Sequence, residues 1–253
     1  LLITHGVGMY TFPHRTFQEY LAARYLTTYK FPTELARLTR TDPERWREAA
    51  LLAAAKSKAG ADYAMWGLVD RLCHHDAHDK ATLEDHWGAL VAGQAIAETV
   101  DPALTRDDEA QNEIFERVQN WQVHILKSSL LPAIERAHAG DSLATLGDPR
   151  FDITHWHLPQ ESLWGFVEIP EGEFIMGDDG DDNAKPKHKF KLPRYFIARY
   201  PTTVAQFKKF VDESGHKPEN ADSLRDPLNR PVRYVTWHEA IKYCDWLTDR
   251  LKS

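Results

Sequence analysis

Near residue 158 the sequence changes its period, and no fold built from one kind of element accommodates both halves. Before that point apolar residues recur three and four apart, as on helix faces, whereas short alternating runs appear mainly after Trp164. Charge shifts at the same place. Residues 1–158 hold 16 Lys and Arg against 22 Asp and Glu, while residues 159–253 hold 15 against 16. A chain of 253 residues favours two domains or one large one. The expected class is therefore multidomain α and α+β, helical first and mixed second.

Composition removes several functions. A net charge of −7 speaks against a surface built to neutralise phosphates, so nucleic acid is not an expected partner. No apolar run approaches the roughly 18 residues that span a bilayer, and no signal peptide opens the chain, so no membrane partner and a cytoplasmic location are expected. Two cysteines, Cys73 and Cys244, are too few for a disulfide framework or a thiolate zinc site. The chain opens on Leu-Leu-Ile-Thr without Met and stops at Leu251-Lys252-Ser253, which reads as a piece of something longer.

At the start, Leu1-Leu2-Ile3 and Met9-Tyr10-Thr11-Phe12 flank Gly6-Val7-Gly8 as a short hairpin would. Thr16 with Glu19 makes a capping box for a helix whose face is Phe17, Tyr20, Leu21, Arg24 and Tyr25. Asp42-Pro43 opens another helix, and helical stretches follow near 61–73, 82–98, 109–127 and 131–139. Antiparallel pairing of these helices, as in a solenoid, is the simplest packing. Gly147 ends the last of them, and Asp148-Pro149 begins a turn.

In the second half, Phe166–Ile169, Glu173–Met176 and Tyr195–Arg199 read as strands. Capping boxes at Thr203 with Gln206 and at Thr236 with Glu239 announce two helices. The second is expected to bury Trp237, Ala240, Ile241, Cys244, Leu247 and Leu251, with Cys244 a small core hydrophobe. Lys185, Lys187, Lys189 and Lys191 alternate onto one face of an extended segment, as on a charge-protected sheet edge.

The run Phe12, His14, Thr16, Phe17, Gln18, Glu19, Tyr20, Ala22 and Ala23 resembles the motif that closes the winged helix of STAND NTPases of the NACHT type. The resemblance implies a winged-helix end over residues 1–40, a helical arm over 41–158, and a latch in which His14 contacts the β-phosphate of ADP. An imidazole N–H can donate to a phosphate oxygen, which makes that role chemically reasonable. No Gly-x-x-x-x-Gly-Lys-Ser/Thr loop is present, so ADP or ATP is expected only for a full-length protein. The implied partners are a nucleotide-binding domain of the same protein, an unidentified ligand, and further copies of the protein on activation.

A second run, from Gly165-Phe166-Val167-Glu168-Ile169-Pro170 through Val235-Thr236-Trp237 to Tyr243-Cys244-Asp245-Trp246, resembles the amino-terminal half of the formylglycine-generating-enzyme, or sulfatase-modifying-factor, domain. It implies a C-type-lectin-like fold over residues 159–253. Leu146-Gly147-Asp148-Pro149-Arg150 resembles the turn that precedes such domains. Active members of this family use a late cysteine pair that binds copper.

No catalytic residue and no metal ligand is therefore expected here. The loop Asp178, Asp179, Asp181, Asp182 and Asn183 lacks EF-hand spacing. The group Cys73, His74, His75, Asp76, His78 and Asp79 has no second cysteine to complete a tetrahedral set, and His155-Trp156-His157 reads as aromatic packing. The leading expectation is the sensor portion of a STAND signalling protein, plausible in bacterial defence, and no enzyme. Its alternatives are part of a formylglycine-generating or related metal-dependent oxidase, and a non-catalytic scaffold.

Overall fold

The computed structural model describes residues 3–4, 6–60, 62–101 and 108–252. Leu1 and Leu2 of the expected hairpin, Ala61, and Ser253 lie outside the described residues. The chain divides into two compact units, Leu1–Pro149 and Arg150–Ser253.

The first unit begins with a small antiparallel pair, β1 (Ile3–Thr4) and β2 (Tyr10–Thr11), followed by α1 (Arg15–Tyr29). The helix starts one residue before the expected cap: His14 takes the N-cap in extended backbone, without a side-chain cap bond. Glu19 instead receives the Arg15 Nε donor at 2.7 Å, so no capping box forms. The expected apolar face of α1 is outward. Phe17, Tyr20, Leu21 and Tyr25 are exposed, while Ala23 and Leu26 are buried where α1 meets α3 (Pro43–Gly60). Small side chains let two helix backbones approach closely, and α3 meets them with Ala49, Ala50 and Ala53.

Between these helices lies α2 (Thr33–Thr41), which the sequence pattern did not single out. Beyond α3 come α4 (Asp62–Leu72), α5 (Leu83–Thr99), α6 (Glu109–Lys127) and α7 (Ala133–Leu146). Thr82 and Asp85 close a reciprocal capping box on α5, and the Asp108 side chain caps α6.

The packing is not the neighbour-to-neighbour stacking of a solenoid. Helix α5 touches α2, α3, α4, α6 and α7, and it is buried on every side, from His86 through Leu90, Val91 and Ala92 to Ile96. A helix apolar all round belongs in the middle of a core. Helix α6 has the ordinary one-sided pattern, burying Phe115, Val118, Trp121, Gln122 and Ile125. Within that seam the Gln122 side chain donates from Nε2 to the Ala89 carbonyl of α5 at 2.7 Å, packed over Gly93.

The second unit holds three two-stranded antiparallel pairs among the described residues. A short pair, β3 (Phe151–Asp152) with β4 (Leu158–Pro159), surrounds a turn in which Trp156 and His157 both take positive φ. Then β5 (Phe166–Ile169) pairs antiparallel with β8 (Tyr195–Ala198), and β6 (Gly172–Met176) pairs with β7 (His188–Leu192). Lys189 and Lys191 stand beside Glu173 and Glu171 across the second pair, while Phe174 and Phe190 meet on its other face.

Helices α8 (Val204–Ser214) and α9 (Trp237–Lys252) complete the unit. Both expected capping boxes are present, and α8 ends at Gly215 in the left-handed region. Its core gathers Leu158, Phe207, Phe210, Tyr243 and Leu247. Here the expected face of α9 needs correction. Glu239, Tyr243 and Leu247, four residues apart, turn inward, whereas Trp237 is 72% exposed and Ile241, Cys244 and Leu251 are outward with it. The helix carries two apolar stripes, and the periodic pattern merged them.

One substitution pair tests the close packing of α5. A Cβ at Gly88 would overlap the Leu72 carbonyl oxygen and the Arg40 stem, whereas one at Gly140 in α7 meets only Leu126 at 3.8 Å. In urea unfolding, Gly88→Ala is expected to cost about 1–3 kcal/mol. Gly140→Ala is expected to stabilise by about 0.5–1 kcal/mol.

Candidate functional site

Three places gather chemically capable side chains. The first lies around the loop after α4. His74 and His75 follow the helix end, and Asp85 comes from the first turn of α5. Their nearest ligand atoms all fall within 4.8 Å of one another, and they are the only such group of three among the described residues. Arg40, in the last turn of α2, reaches both His74 and Asp85. Asp85 also accepts from the Thr82 backbone N–H at 2.8 Å and from its hydroxyl at 2.7 Å. Burial alone would raise the Asp85 carboxyl, but those donors, His75 and Arg40 hold it at about 2. Burial, then the Arg40 charge, lowers His74. The Trp121 indole N–H donates to the His75 carbonyl at 2.6 Å and fixes the loop against α6.

Sequence reasoning grouped His74 and His75 with Cys73, Asp76, His78 and Asp79, and so missed Asp85 and Arg40. Cys73 is buried, and burial pushes its thiol to about 12, which makes it a poor ligand or nucleophile.

The second place is the corner at His14. The ring is exposed and lies 6.2 Å from Phe17. A cleft of about 350 Å³ opens nearby between α1 and α3, lined by Arg15, Gln18, Glu19, Asp42, Arg45 and Trp46, without His14. Its cations are engaged: Arg15 bonds Glu19 and the Glu44 carbonyl, and Arg45 lies over the Trp46 ring. The assignment of His14 to a phosphate rests on the resemblance alone.

The third place is the second unit. Glu239, 1% exposed, accepts the Thr236 and Glu219 backbone N–H groups, the Thr236 hydroxyl, and His216 Nε2 at 3.2 Å. Burial opposes its charge, yet these donors bring it down to about 2. It ties the 216–219 loop to the start of α9. The acidic loop is occupied by its own turns: Asp178 and Asp181 accept from Gly180 and Asn183, and Asp179 accepts from the Lys187 N–H. His155 stacks on Trp164 at 4.5 Å and pairs with Asp152, while Trp156 joins the core. Cys244 stands exposed on the outer stripe of α9, with partial burial and then the Asp245 charge pushing its thiol upward.

Residues 156–253 match the family model of the sulfatase-modifying factor enzyme 1-like domain. The match lies wholly in the second unit. A hercynine oxygenase of Mycolicibacterium smegmatis is 29% identical over 123 residues, covering 34% of this chain and 29% of that protein. A formylglycine-generating enzyme of Thermomonospora curvata is 26% identical over 152 residues, covering 41% of this chain and 50% of that protein. The serine/threonine-protein kinase Pkn1 of Chlamydia trachomatis is 30% identical over 115 residues, covering 38% and 19%. The chain spans half or less of the length of these relatives.

The expectation that this chain is no enzyme is overturned. It rested on a missing phosphate-binding loop and a missing late cysteine pair, yet relatives named as a formylglycine-generating enzyme and an oxygenase match the chain, and the matched domain is of an enzyme family. The match lends no support to the STAND and NACHT resemblance of the amino-terminal unit. Among the described residues no helix is long and apolar enough to cross a membrane.

Two measurements follow. An aromatic disulfide reagent is expected to release one equivalent of thiolate from the native chain, faster as pH rises, and Cys244→Ser should abolish it. Two equivalents would mean that Cys73 is open. Glu239 has a folded pKa below its unfolded one, so its stabilisation is complete above about 4.5 and is lost as pH falls toward about 2. Urea midpoints followed by tryptophan fluorescence should therefore separate wild type from Glu239→Gln at pH 6, and the gap should narrow as pH falls below about 4.5 and close toward about 2.

Proposed function

We propose that the second unit is the amino-terminal part of an oxidase-type domain, of the class that includes formylglycine-generating enzyme and hercynine oxygenase. The observation that carries the reading is the unbroken family match over residues 156–253, together with relatives named as oxygenase and formylglycine-generating enzyme. This is the alternative that the sequence placed second to a sensor role.

The family resemblance implies copper held by paired thiols. The described residues do not fit that group: Cys244 is a single exposed thiol, and Cys73 is buried in the other unit. No step through copper is derived from this chain. What these residues supply is the frame. Helices α8 and α9, with Leu158 of β4, Phe166 of β5 and the Glu239 clamp, form a small packed centre, while Trp237, Ile241, Tyr195 and Ile197 face outward. Those side chains are apolar surface of the kind that further parts of a domain cover.

The test uses the natural protein with whatever sequence flanks residues 1–253. It is incubated under air with a cysteine-containing peptide and Cu(I), and separately with Fe(II), a thiol and a betaine of histidine. Hydrazide capture of a new aldehyde, or mass detection of a sulfoxide with matching oxygen uptake, is the expected result. Oxygen uptake at the protein-free rate, with neither product, would remove the oxidase reading.

A further inference from the structure

The hydrogen-bond roles around His75 single out one close contact, Nε2 to Asp85 Oδ1, that needs a proton or a cation between its two atoms. Its Nδ1 lies 2.9 Å from the Asp76 carbonyl oxygen, which can only accept, so Nδ1 carries the proton. Its Nε2 faces Asp85 Oδ1 at 3.2 Å, a contact that a proton or a metal ion on Nε2 satisfies. His74 Nδ1 lies 2.8 Å from an Arg40 guanidinium nitrogen, which can only donate, so this nitrogen is a lone pair. The same guanidinium bonds Asp85 Oδ1. Three donor atoms from two places in the chain, the loop after α4 and the first turn of α5, thus converge on a position that requires positive charge.

We propose that His74 Nδ1, His75 Nε2 and Asp85 Oδ1 form a site for a divalent first-row transition ion such as zinc or cobalt, with Arg40 supplying the charge when no ion is bound. Two imidazoles and one carboxylate are a common ligand set for such ions, and solvent completes the shell beside the exposed His74. The supporting bonds are those that ligands of this type need. His75 gives its other N–H to a backbone carbonyl, and the second Asp85 oxygen is held by Thr82. A spread of 4.8 Å between ligand atoms exceeds a tetrahedral edge of about 3.5 Å, so side-chain torsions must close it by about 1 Å as Arg40 withdraws. The site lies in the first unit and stands apart from the oxidase reading.

Cobalt(II) titration of the whole chain at pH 7.5, followed by visible absorption, tests it. One equivalent should bind with a d–d band, and His75→Ala and Asp85→Asn should each weaken binding by about tenfold or more. His74→Ala changes only an exposed loop residue and keeps the test usable where Asp85→Asn unfolds. His238→Ala, in the other unit, should change nothing. Arg40→Gln should tighten binding, because it removes the competing cation, whereas a purely structural cluster predicts no change in affinity. The proposal is overturned if wild type gives no band, leaving a proton alone in the gap, or if the His74 and His75 substitutions leave the band unchanged.

Discussion

The first unit depends on the burial of α5 from all sides. A helix with polar residues on one face has a preferred orientation toward water, but Leu90, Val91 and Ala92 in succession leave α5 no such face. Five other helices must therefore surround it, and their order is set by which of them can approach closely. Gly88 lets α5 lie against the end of α4, and Gly93 leaves room for Gln122 of α6. The histidine cluster is a by-product of that centrality. The capped start of α5 is where α2, the loop after α4 and α6 meet, so Arg40, His74, His75 and Trp121 arrive at Asp85 together.

Local chemistry was legible in the sequence where it was strictly local. The boxes at Thr203 and Thr236, the Asp42-Pro43 start of α3 and the span of α6 all depend on residues a few positions apart. Choosing the buried side of a helix was harder. In α1 the larger aromatic residues outweigh Ala23 and Leu26 in any apolar count, yet the small residues make the contact with α3. In α9 a carboxylate, Glu239, belongs to the inner side because four donors satisfy it, and no hydrophobic pattern marks such a residue. The cluster at Asp85 was invisible for another reason. Arg40 lies 34 residues from His74 and 45 from Asp85, so only folding brings them within reach.

The cysteines also change meaning with structure. From composition they remove a disulfide framework, and that inference concerns this chain alone. Extending it to the absence of catalysis was an overreach, since the chain spans half or less of the enzymes it resembles. Cys244 sits outward on α9 rather than in the core, because the inner stripe runs through Glu239, Tyr243 and Leu247, and one position past Tyr243 is about 100° further round the helix.

The bond from Gln122 to the Ala89 carbonyl has one more consequence. On the α5 side of that seam Ala89 and Gly93 present a nearly smooth stretch that offers α6 little shape to lock onto. A buried amide tolerates no slip along that stretch, since moving one turn would strand its donors away from water. Gln122 thus acts as an index pin: beside the large apolar side chains of α6 it adds a polar contact that is satisfied at one alignment of α5 and α6.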